Sequence, residues 1–276
     1  MENLLLPSKI EFLDGDEPNK GSLVVSPCYH GYGTTLGNAI RRVLLSSLPG
    51  SAAESFKIKG VQHEFGAVEG VKEDVVEIML NLKQLVVRVY SDEPVTLNLI
   101  KKGKGTVTAG DFEKNANVEI INKDLVIANL TSDNKEFNLE VEAGKGRGFV
   151  TSEQKTRDNL DLGTIVIDSI YTPVRDVGYN VEYTRVGDIT NYEKLSVNIE
   201  TNGIITPKEA AIQSVQILMD HFGVVLNGIS SNMAKELPVL EVTAEEVIEE
   251  KPKKVKVQKE KVEKPEKIKK EKKSKK

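Results

Sequence analysis

Between residues 206 and 226 the chain carries more apolar surface on one helix than a single sheet face usually covers. Thr206-Pro207-Lys208-Glu209 reads as a capping box with proline at the first helical position. Ala211, Ile212, Val215, Leu218, Met219, Phe222, Val225 and Leu226 then recur at helical spacing as a broad band, with Ile217 and Val224 outside it. Glu209, Gln213, Gln216 and Asp220 form one narrow polar stripe. Two arrangements accommodate such a helix. It is an unusually buried core element, or a second copy of the chain covers it, as isologous dimers commonly do. The second reading is preferred.

A second helix is expected at 34–48, ended by the breaker pair Pro49-Gly50. Thr34 or Thr35 can cap it. Leu36, Ile40, Val43, Leu44 and Ser47 fall on one side, with Ala39 at the edge, as an ordinary core stripe. The other side holds Asn38, Arg41, Arg42 and Leu45, a continuous patch of two guanidinium groups beside a large apolar side chain. Such a patch suits a protein interface. Geometry alone favours a solvated arginine pair with one exposed leucine, since scattered surface apolar residues are common. Gly37 costs about 1 kcal/mol relative to Ala inside a helix, which close approach of another backbone would justify.

The stretch between the two helices is mostly β. Val95, Leu97 and Leu99 alternate with polar residues, as do Phe137, Leu139 and Val141. Val86, Val87 and Val89 flank Arg88. Val75, Ile78, Met79 and Leu82 break the pattern with helical spacing, so a short helix is expected there. Leu23-Val24-Val25 before the first long helix, and 179–186 and 195–201 after Pro173, read as further strands.

The chemistry-bearing residues are few. His30, His63 and His221 form no HExxH pattern, and Cys28 with His30 supplies two ligands where zinc usually takes three or four. Neither G-x-S-x-G nor a calcium-loop pattern occurs. Gly144-Lys145-Gly146-Arg147-Gly148 lacks phosphate-loop spacing and is not followed by a helix, so it reads as a turn, with an interface role as the alternative. A small hydrolase would lack its nucleophile and base.

Charge is unevenly divided. Of 38 basic and 42 acidic side chains, Lys251 to Lys276 holds 14 Lys and 4 Glu, a net of +10. The remaining 24 basic and 38 acidic residues give 1–250 a net of −14. An acidic body argues against broad nucleic-acid binding by the folded part. The basic segment has too few apolar residues to fold and is interrupted by Pro252 and Pro265. It is a solubilising tail or a source of weak, salt-sensitive phosphate contacts. A single cysteine fits a reducing cytosol, and neither a secretory signal nor an apolar run of membrane-spanning length is evident.

The ordered motifs carry a family resemblance. Gly33 to Ser47 resembles the signature of the bacterial RNA polymerase alpha subunit. It is followed in order by His63-Glu64-Phe65, the stretch Glu73 to Lys83, Gly146 to Val150, Tyr171-Thr172-Pro173-Val174, Tyr179 to Glu182, and Glu200-Thr201-Asn202-Gly203. The resemblance spans about residues 4–232. It implies an α+β fold in two domains: a dimerisation domain from 1–49 plus 177–232, and an inserted β-rich domain at 50–176, leaving 233–276 as a disordered Lys/Glu-rich tail. It implies a homodimer that scaffolds the beta and beta-prime subunits of a cytoplasmic polymerase and reaches promoter DNA through the complex; any weak contact from the tail rests on its charge alone and not on the resemblance. Magnesium would belong to the large subunits, with no cofactor and no catalytic residue in this chain. Arg42 matches a family contact for beta, with Asn38, Arg41 and Leu45 on the same face. Lys83 and Val174 match positions associated with beta-prime. Leu36, Ile40, Val43 and Leu44 would join Val215, Leu218, Met219, Phe222, Val225 and Leu226 in the dimer interface. Two departures stand out: nothing resembles the usual helical DNA-binding domain after residue 232, and Ser26 to Tyr32 replaces a stretch that is usually more charged. The competing class is a stand-alone nucleic-acid-binding protein acting through its basic tail. The absence of interleaved aromatics counts against it.

Overall fold

The computed structural model describes residues 5–155, 161–187 and 189–236; the basic segment 251–276 lies outside them. Two hydrophobic cores organise the described residues.

The first core lies beneath an antiparallel sheet. Its strands are β3 (Pro49–Ile58), β5 (Val95–Lys102), β9 (Glu136–Arg147) and β11 (Thr164–Val166), in the order β11-β3-β9-β5. Alternation places Leu97 and Leu99, and Phe137, Leu139 and Val141, on its inner face. The short helix expected at 75–83 is α2 (Val75–Leu82). It is capped by Asp74, whose carboxylate accepts the Glu77 N–H at 2.7 Å, and it buries Val75, Ile78 and Leu82. Short pairs complete the layer: β4 (Val87–Val89) with β7 (Val118–Ile120), and β6 (Gly105–Thr108) with β8 (Val126–Leu130). A further pair is β10 (Phe149–Val150) with β12 (Ser169–Ile170).

The glycine-rich run 144–148 is not a turn. Gly144 to Arg147 continue β9 and pair with β3, Pro49 opposite Arg147 and Ala52 opposite Gly144. The glycines serve packing. A Cβ at Gly146 would lie 2.7 Å from the Tyr171 ring, and one at Gly144 would strike the Glu54 carboxylate. Glu54 is the extra residue of a β-bulge between Ala53 and Ser55, which turns its side chain across the sheet to accept the Tyr171 hydroxyl at 2.6 Å.

The second core sits on another antiparallel sheet. Its strands are β1 (Lys9–Asp14), β2 (Lys20–Cys28), β13 (Val174–Val186) and β14 (Ile189–Thr201), in the order β1-β2-β14-β13. Helix α1 (Tyr32–Ser46) lies on β13 and β14, and the first turns of α3 (Pro207–Glu236) close the core with Ala210, Ala211 and Ser214. The expected capping box is present: the Thr206 hydroxyl accepts the Glu209 N–H at 3.2 Å, and Glu209 accepts the Thr206 N–H at 2.9 Å.

Candidate docking surfaces

Helix α1 buries Gly33, Gly37, Ile40 and Leu44, with Leu36 and Val43 half-buried. The glycines belong to that stripe. A Cβ at Gly37 would lie 2.8 Å from both Leu195 and Tyr179, so the close approach is to side chains of the sheet rather than to a second backbone. Ile40 is 6% exposed and Leu44 is fully buried, so the subunit's own core takes up both. Leu36 and Val43, expected beside them in a contact between two copies, retain some free surface.

The opposite face is open. Asn38, Arg41, Arg42 and Leu45 are all exposed. Among the described residues, neither guanidinium has an ion-pair or hydrogen-bond partner. At the helix's C-terminal end, a Cβ on Gly148 would lie 3.3 Å from the Ser46 carbonyl. This brings the exposed Arg147 and Phe149 beside that end of α1. Sequence patterning gives the run 144–148 an interface role only as an alternative and does not join it to α1, since the two are distant in sequence.

The start of α1 also differs from expectation. Neither Thr34 nor Thr35 caps it. Gly31 occupies the cap position with φ +84°, and the cap is supplied from β14 by Glu193, whose carboxylate accepts the N–H groups of Gly31 at 2.8 Å and Gly33 at 2.9 Å. His30 Nδ1 stands 3.3 Å from the same carboxylate. Cys28 is fully buried, and burial first, then the nearby Glu193, pushes its thiol up, so this cysteine is an apolar filler. Among the described residues no cluster of three or more His, Cys, Asp or Glu is placed to hold a metal ion.

Lys83 and Val174 line one surface cleft of about 510 Å³, together with Leu85, Val86, Ile170 and Arg175. Their states differ. Val174 is 2% exposed and packed in the second core, so it forms the cleft's floor, and it begins β13. Lys83 is part-exposed and bonded to Asp168 at 2.9 Å. The Ser152 N–H, then Lys83, hold the Asp168 carboxyl below its ordinary range.

The later part of α3 is uncovered. Val215, Met219, Phe222, Val225 and Leu226 are exposed, Phe222 by 64%, and Leu218 is half-buried against the core. Ile212, Val224 and Ile229 are exposed as well, so the apolar surface continues where the helix outruns the core. The helix runs to Glu236, ten residues past its expected end at 226. Patches of this extent on a subunit mark interaction sites.

The α+β chain thus presents an uncovered apolar helix and an open cationic helix face, surfaces of the kind that contact other chains. Comparison with known proteins gives its family. Residues 56–172 match the family model described as the RNA polymerase Rpb3/RpoA insert domain. The chain is 43% identical over 250 residues to the DNA-directed RNA polymerase subunit alpha of Alkaliphilus metalliredigens, covering 87% of this chain and 79% of the relative. It is 46% identical to those of Desulforamulus reducens, with the same coverage, and Clostridium kluyveri, covering 88% of this chain and 79% of the relative. The chain belongs to the DNA-directed RNA polymerase alpha-subunit family, and so to the machinery of transcription.

Proposed function

We propose that two copies of the chain associate through α3 and that the dimer scaffolds the large subunits of a bacterial RNA polymerase. In this reading 1–49 with 177–232 form the dimerisation domain, and 50–176 the insert. Beta docks on Asn38, Arg41, Arg42 and Leu45. Beta-prime docks at the cleft holding Lys83, with Val174 shaping it from beneath. Val215, Met219, Phe222, Val225 and Leu226 meet the second copy, with Leu36, Val43 and Leu218 at its margin. Nucleotidyl transfer and its magnesium are assigned to the large subunits, in the cytoplasm. DNA is reached through that complex, with weak phosphate contacts from 251–276.

The observation that carries the proposal is the exposure of α3: apolar side chains that one subunit leaves in water need a cover. The test uses the full chain. Arg42→Ala is expected to keep the dimer in light scattering while weakening beta binding at least tenfold, the scale of an interfacial arginine anchor. Phe222→Glu is expected to yield folded monomers. A monomeric Arg42→Ala chain, or a dimeric Phe222→Glu chain, contradicts this division of faces. Deleting 251–276 from the assembled enzyme should weaken DNA binding at low salt; unchanged affinity removes the tail from the account.

A further inference from the structure

We propose that Glu193 is a positioning residue for the docking face of α1, holding the helix N-terminus on the sheet from a point 160 residues away in sequence. The inference rests on the reading of α1 as the beta-docking helix. It concerns a residue on the face opposite to those assigned the contact.

A helix begins with N–H groups that have no partner within the helix. Most helices satisfy some of them with the residue just ahead of the first turn. Here that place is taken by Gly31, which has no side chain to offer. The donors are instead gathered by a carboxylate on the neighbouring strand, one oxygen for Gly31 and the other for Gly33. Charge-assisted bonds of this kind are roughly twice as strong as neutral ones, and an anion at this end of a helix is favoured by the peptide dipoles.

Three details show a site shaped around this carboxylate. Glu193 is 5% exposed, so its charge is taken out of water and must be compensated by these bonds. A Cβ at Gly33 would come within 2.8 Å of Glu193 Oε2 and 2.9 Å of Val181, so only glycine leaves the oxygen its place. The pairing of β14 with β2 is irregular between Glu193 and Leu195, with Glu193 opposite Cys28 and Leu195 opposite Val25. That irregularity aligns the carboxylate with the chain just as it leaves β2 for α1.

The same strand grips the helix again one turn on. Leu195 packs against Gly37, the residue before Asn38. Alternate inward residues of β14 thus set α1 at two points, and the exposed face inherits its aim from them. Loss of the carboxylate leaves the buried Gly33 N–H and the part-buried Gly31 N–H without this partner, and the first turns move or fray to reach water.

The test compares the full-length chain with Glu193→Gln, which keeps one carbonyl acceptor, and Glu193→Ala, which keeps none. Amide exchange at 31–36 is expected to accelerate in the order parent, Gln, Ala, by about tenfold or more for Ala. Exchange in the insert core and self-association are expected to stay at the parental level. Beta affinity should fall in the same order, tenfold or more for Ala. A merely structural role would instead lower self-association in step with beta binding. Parental exchange at 31–36 in Glu193→Gln overturns the cap. Faster exchange with parental beta affinity overturns the coupling. Arg42→Ala run beside them separates the layers: if it too binds beta normally, the docking assignment falls and the coupling with it, while exchange still decides the cap.

Discussion

Glycines in this chain look alike in sequence and differ sharply in their surroundings. Gly50 lies in β3, and a Cβ there would overlap the Tyr171 backbone carbonyl, which cannot rotate away. Gly178 lies in β13 with nothing within 4 Å of the same position. Gly50→Ala should therefore destabilise by about 3 kcal/mol, the upper end of overpacking costs. Gly178→Ala should be neutral or slightly stabilising, because alanine restricts the unfolded chain more than glycine does. Urea denaturation of both variants checks the contrast; equal midpoints would mean that Gly50 has room the structure denies it. Residue-level legibility follows the same divide. Spacing alone puts Arg41, Arg42 and Leu45 on one face, because helical periodicity is local, and that face is open. The burial of Val174, which the resemblance associates with beta-prime, is not legible in spacing, because it depends on strands that close over it from elsewhere.

Elements were legible in proportion to how locally their ends are fixed. The start of α3 is written in four consecutive residues, and both bonds of its capping box are formed. The start of α1 is written in Gly31 and Glu193 together, which no window of sequence joins. Likewise 144–147 reads as loop on composition and is strand, since the reason for its glycines is the approach of Tyr171 and Glu54. The local cap makes a local prediction. Thr206→Ala should cost about 1 kcal/mol in urea denaturation, with faster amide exchange confined to the first turn of α3. The Thr206 N–H, then its hydroxyl, hold the Glu209 carboxyl low, so that carboxyl should titrate closer to its ordinary value in the variant. A cost spread over the whole of α3, or none, would mean that burial of Ala210, Ala211 and Ser214 fixes this end without the box.

Across the molecule, the carboxylates held low among the described residues are concentrated in the insert. Within the insert, Asp168 is lowered by the Ser152 N–H and Lys83. Burial works to raise Glu73 and Asp111, yet bonds from Asn129 to the first, and from Lys101 and Thr108 to the second, bring both below their ordinary values. Asp92 and Glu136 are lowered too, by Lys145 and Lys102, but these pairs lie in open solvent where screening leaves them little weight. Outside the insert Glu209 is the one such carboxylate among the described residues. A carboxyl lowered in the folded state adds stability above its unfolded value, about 4, and that contribution fades as pH falls through the folded value. Acid should therefore loosen the insert before the second core. Amide exchange stepped from pH 7 to below 4, corrected for intrinsic rates, is expected to show Leu97, Leu139 and Val141 losing protection while Leu195 and Val197 retain theirs. Asp168→Asn should lessen that fall, because the variant has already lost the titrating partner of Lys83 at neutral pH. Simultaneous loss in both cores would show that they unfold as one cooperative unit, and that the two buried clusters mark packing within a single domain.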